Sequence, residues 1–181
     1  MSLFFAILLP GLFLAVLGAL LLWNHPAIGR AARALPRSSQ AAWLIFGGAA
    51  MWFIFRLSHL TESDLIFFKT PQPVMIAFAA LAVLAVFYTP EFLAVRGLSV
   101  LMLLAAEPLL YAAYMEYTHP LRLVMVTAVY LGLGLALYLA AAPYRLRDFF
   151  GWLFHQPSRA RLVGAIVLAY GLATSATAFT Y

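Results

Sequence analysis

Glu107 is the residue of this sequence whose position most needs a chemical reason. It stands about midway along an apolar run, Phe92–Met115, and Pro108 follows it at once. A charged side chain at mid-bilayer depth costs at least about 2.5–3.5 kcal/mol, so such a group turns toward a cavity or a partner. Arg96 precedes it by eleven residues, close to three helical turns, so both leave one face. Tyr111 and Tyr114 continue that face at i+4 and i+7. A second cation, Arg56, lies late in another apolar run, Ala41–Leu57. Its default is to snorkel to the near surface. Taken as antiparallel to the Glu107 run, however, it differs in depth by only a few residues at about 1.5 Å each. Glu107, Arg56, Arg96, Tyr111 and Tyr114 together read either as a proton or substrate site, or as an ion pair that fixes helix register without doing chemistry. Glu107 is expected to face the bundle interior. Arg56 is its expected partner, since Arg96 stands about 16 Å away along the same helix.

A second constellation lies at span ends. His59, Glu62 and Asp64 follow one apolar run, and Glu116 and His119 follow another. The spacings HxxE and ExxH put ligands on one helical face, and a Glu–His pair at i, i+3 occurs in carboxylate-bridged di-metal bundles. Those centres use two such pairs and further glutamates on core-facing helices. Acids and histidines at exposed span ends are ordinary, so metal binding is the weaker reading. His25 and His155 lie near the membrane boundary rather than inside a span, which disfavours a bis-histidine haem. The sequence has no Walker loop, GxSxG, HExxH, dinucleotide fingerprint or zinc pattern, and no lysine within a span. No cofactor is expected, and an enzyme is the less favoured class.

The elements that must position these residues are membrane spans. Of 181 residues, 66% are hydrophobic and 9% charged, against about 45–50% and about 25% in soluble domains. The fold class expected is all-α: a single-domain, polytopic integral membrane bundle whose outer surface meets the lipid bilayer. A span needs about 20 mainly apolar residues. Six segments approach that: 3–23, 41–57, 73–88 (short), 92–115, 123–142 and 162–179. The first reads as a span and not a removable signal peptide, because no basic region precedes it and no cleavage site ends a short apolar core. Prolines mark most of the ends; Pro10 and Pro108 fall inside spans and should bend them. The segment 144–155, YRLRDFFGWLFH, reads as an interfacial helix with aromatics at headgroup depth. A Thr or Ser followed by acids suggests a second one within Ser58–Gln72.

A faint repeat links the two basic hairpins. Arg30 and Arg147 lie four residues after Pro26 and Pro143, and Gly47 and Gly164 lie twenty-one after them. Parallel repeats of this kind occur in transporters, although shared topology alone would place Pro and Arg alike.

The net charge is +5, and ten of the eleven basic residues are arginine. With no exposed basic domain to carry it, this charge does not point to nucleic acid. The absence of cysteine excludes disulfides, iron–sulfur ligation and thiol chemistry. Three function classes follow: an accessory or assembly subunit of a larger membrane complex, a small transporter or channel built around Glu107, and a membrane enzyme acting on a lipid or quinone. The first two rank level, with membrane-protein partners or a homo-oligomer implied; the enzyme ranks behind. The expected location is a bacterial cytoplasmic membrane.

Eight arginines (Arg30, Arg33, Arg37, Arg96, Arg145, Arg147, Arg159 and Arg161) fall after odd-numbered spans; Arg56, Lys69 and Arg122 fall on the other side. The positive-inside rule puts the odd loops in the cytoplasm and both termini outside. Reporter fusions after Arg37 and after Arg159 are therefore expected to report cytoplasm, and a fusion after Thr180 is not. A cytoplasmic signal after Thr180 would contradict the six-span arrangement.

Overall fold

A computed structural model describes residues 2–61, 64 and 70–180. The described residues are all-α. In chain order the helices are α1 (Leu3–Trp23), α2 (Pro26–Ala34), α3 (Ser39–Ser58), α4 (Gln72–Tyr88), α5 (Leu93–Ala113), α6 (Arg122–Ala141), α7 (Tyr144–Leu153) and α8 (Pro157–Ala178). A 3-10 turn, Leu35–Arg37, joins α2 to α3. Five helices are long and apolar enough to cross a membrane: α1, α3, α5, α6 and α8. The sixth expected span, α4, has 17 residues, about 26 Å at the rise of an α-helix.

Local chemistry explains the boundaries. Asn24 ends α1 in the left-handed region, at φ 45°. His25 caps α2, its Nδ1 accepting from the Ala27 amide at 3.3 Å, and Pro26 takes the first helical position. Ser38 caps α3, its Oγ accepting from the Ala41 amide at 3.2 Å. Such caps satisfy amide donors that have no partner inside the helix. Residues 62, 63 and 65–69 of the segment Ser58–Gln72, where a second interfacial helix is expected, lie outside the described residues.

Small residues decide the packing. Gly11, Ala15 and Gly18 of α1 meet Ser175, Gly171 and Gly164 of α8 at backbone distance. The pairing is antiparallel: seven residues from Gly11 to Gly18 are matched by seven from Ser175 back to Leu168. Without a hydrophobic force between helices in lipid, close backbone approach over small residues is what holds them. The ring of Phe4 lies against Phe179, so the start of α1 and the end of α8 share one end of the bundle. Ala6, Ile7, Ala106, Ala113, Met125, Val129 and Ala178 form the core there. Tyr170 ties α8 to α6 by donating its hydroxyl to the Val124 carbonyl at 2.6 Å.

α3 and α5 run parallel, not antiparallel. Gly97 meets the backbone of Phe46, and ten residues further along both helices Glu107 meets Arg56. Parallel neighbours require the intervening chain to return, and α4 makes that return. It packs on α3, with the Phe53 and Phe78 rings 5.1 Å apart, and none of its residues is buried.

The other end of the bundle is closed by α2 and α7. Leu153 of α7 packs with Leu21 and Ala160, and Leu146 packs with Val95 and Leu139. Gly29 of α2 lies beside the Phe154 ring. Thus α7 docks its leucines on the bundle and leaves Phe149 and Trp152 outward. All eight arginines assigned above to odd-numbered loops stand at this basic end, within or beside α2, α5, α7 and α8. The two basic hairpins differ in packing, because Gly164 is pressed against Leu22 while nothing lies within 4 Å of a side chain placed at Gly47.

A side chain at Gly171 would overlap the Ala15 backbone. Gly171→Leu is expected to lower stability by at least about 1–3 kcal/mol, the usual cost of overpacking. Gly47→Leu, at an open glycine, should change it little. Thermal unfolding in detergent distinguishes the two; equal melting temperatures would contradict this seam.

Candidate functional site: an outward-facing intramembrane ion pair

Glu107 is the fifteenth of twenty-one residues in α5, and Arg56 the eighteenth of twenty in α3. The parallel register brings them level. Arg56 Nη2 donates to Glu107 Oε1 in a direct ion pair. Pro108 has no amide to give the Leu104 carbonyl, so the ladder of α5 is interrupted one residue beyond the acid.

The orientation differs from the expectation of an interior site. The side chains of Arg56 and Glu107 are 48% and 59% exposed. Ala106 and Ala113 are the α5 residues that turn inward at this depth. Glu107 follows Ala106, and about 100° of helical rotation carries it outward. With Pro108 and Tyr111 the pair lines a shallow depression of about 260 Å³ on the outer surface between α3 and α5. Tyr111 is 78% exposed, and Tyr114, which ends α5 in extended conformation, is 66% exposed. Arg96 is also exposed but sits near the opposite end of α5. The structure therefore gathers Arg56, Glu107 and Tyr111, sets Tyr114 beyond them along the same helix, and leaves Arg96 remote.

The core is apolar by comparison. Among the described residues, the buried polar side chains are Ser99, Thr174 and Ser175. Ser99 and Thr174 donate to carbonyls four residues back in their own helices, while buried Ser175 Oγ has no hydrogen-bond partner.

Among the described residues, no group of three or more histidines and acids is placed to hold a metal, and Glu62 lies outside them. His59 is taken up locally: its ring lies 4.5 Å from that of Phe55, and its Nδ1 is 2.9 Å from the Phe55 carbonyl. The amide and hydroxyl of Thr61 both donate to Asp64 and hold its carboxyl below the usual range. α5 ends at Ala113, so Glu116 and His119 stand in turns and share no helical face. His25 serves as the cap of α2, and His155 is exposed beyond α7.

A larger feature has no motif behind it. A cavity of about 740 Å³ opens between α3 and α4 at the basic end. The legible trace is the pair Gly47-Gly48, small residues where a span would otherwise carry bulk.

The ion pair sets an expected mutational pattern. Glu107→Gln leaves Arg56 without its counter-charge and should lower stability by about 1–5 kcal/mol. Replacing both Arg56 and Glu107 by leucine should recover most of that stability. Unfolding of the three proteins in one detergent tests this, and additive losses would contradict it.

Comparison with known proteins finds no matching family, no matching curated protein and no matching solved structure, so the functional reading rests on the residues themselves.

Proposed function

We propose that this chain is a non-catalytic subunit of a larger membrane assembly. It docks a partner through the outer face of α3 and α5 and has both termini on the non-cytoplasmic side. One observation carries the reading: an ion pair within two membrane helices that faces outward. Lipid offers neither group a hydrogen bond, whereas a neighbouring transmembrane helix can supply one. Tyrosine and arginine are also the side chains over-represented where interfaces hold most strongly, and Tyr111 and Tyr114 extend the patch beyond Arg56. The apolar core adds support, since a transport path through one copy would need polar groups along it.

A small transporter is the second reading. Its support is the same pair, because two copies meeting at this face would enclose Arg56 and Glu107 between them.

Extraction of native membranes into polymer-bounded nanodiscs tests both readings. A photoreactive residue at Tyr111 should crosslink a distinct protein that co-purifies in fixed stoichiometry, while one at Phe13, exposed on α1, should not. The Arg56→Leu/Glu107→Leu protein should remain folded and lose that partner. A monomer labelled only by lipid at Tyr111 would overturn the subunit reading; crosslinks between two copies would replace it with the transporter.

A further inference from the structure

The 740 Å³ cavity lies away from the ion pair, in the other half of the membrane section. Its volume falls within the ~300–1,000 Å³ of small-ligand sites. Trp43, Phe46 and Gly47 of α3 form one wall, and Val83 and Val86 of α4 form the other. The α3 wall runs from Ser39 to Ala50, about 16 Å along the helix axis. That is the depth of one leaflet, half of a hydrocarbon core about 30 Å thick. Nothing lies within 4 Å of a side chain placed at Gly47, so the groove is open where it passes that residue.

The mouth is polar and carries Arg37, Ser38, Ser39 and Glu91. Phe92 holds two guanidinium groups there, with the carbon of Arg37 5.8 Å and that of Arg147 6.0 Å from its ring centre. Arg147 is paired with Asp148, whereas Arg37 has no carboxylate within ion-pair distance among the described residues. The surrounding end of the bundle carries eight arginines against two acids, Glu91 and Asp148. An apolar slot one leaflet deep, opening at an arginine-rich end of the bundle with Arg37 at its mouth, complements a lipid with a negative headgroup.

We propose that this cavity binds one phospholipid with an anionic headgroup, its phosphate at Arg37 and one acyl chain along the α3–α4 groove. Arg37 and the arginine-rich end around it select the headgroup, since basic groups at the surface attract anionic lipid. The apolar walls take the chain. This site is independent of the partner face on α3 and α5.

The test uses Trp43, which lines the groove. The purified chain is placed in nanodiscs of phosphatidylcholine containing a minor fraction of tail-brominated phosphatidylglycerol or, in parallel, tail-brominated phosphatidylcholine. The Trp43 signal is obtained by difference from Trp43→Phe. Brominated phosphatidylglycerol should quench at about fivefold lower mole fraction than brominated phosphatidylcholine, the preference expected for one arginine contact with an anionic headgroup. Arg37→Gln should abolish the preference with helicity unchanged. Gly47→Leu, which fills the groove, should reduce quenching by both lipids. Equal quenching by the two lipids, a preference that survives Arg37→Gln, or quenching indifferent to Gly47→Leu would each overturn the proposal.

Discussion

The contact of Gly97 with the Phe46 backbone is the constraint from which the membrane half of this structure follows. Only a residue without a side chain lets α5 come that close to α3. Once these helices touch there, the parallel register is set, and ten residues on it delivers Arg56 to Glu107. It also obliges α4 to recross, which explains why a helix with no buried residue belongs to the architecture at all. An unpaired charge within an apolar span is costly. The pair is thus both a product of the register and a penalty against any slip of it.

A second seam, between α1 and α8, closes the chain on itself through small residues on both helices. The two seams share a mechanism but leave different surfaces. α1 and α8 bury Thr174 and Ser175 within the bundle. α3 and α5 bury Ser99 but turn Arg56, Glu107 and Tyr111 outward. Among the described residues the charged chemistry therefore sits at the periphery, outward at the ion pair and at the arginine-rich end beside Arg37.

Much of the fold is legible in the residues. Long apolar runs and the arginines between them give the helices and their common basic end, since both follow from the cost of placing charge in hydrocarbon. The stripe Gly164, Gly171 and Ser175 is legible as a packing face, and so is the pairing of Arg56 with Glu107. Other features depend on three-dimensional register. Periodicity says that Glu107 and Tyr111 share a face but not which way it turns, because in lipid both sides of a helix are apolar and the pattern carries no inward signal. α2 was hidden for a different reason: it is a short amphipathic helix, nine residues from Pro26, whose composition resembles a loop. The α3–α4 cavity passes Gly47, a residue without a side chain, and an absence has no motif.

The proposed partner would cover the outer face of α3 and α5 in the native membrane. Lipid-phase oxygen relaxes an exposed nitroxide and spares a covered one, so a genetically encoded nitroxide at Tyr111 measures this directly. Low oxygen accessibility is expected in native membranes, with a clear rise when the same chain is purified alone into lipid nanodiscs. Equal, high accessibility in both would mean that Arg56 and Glu107 face lipid throughout, and would contradict the proposal.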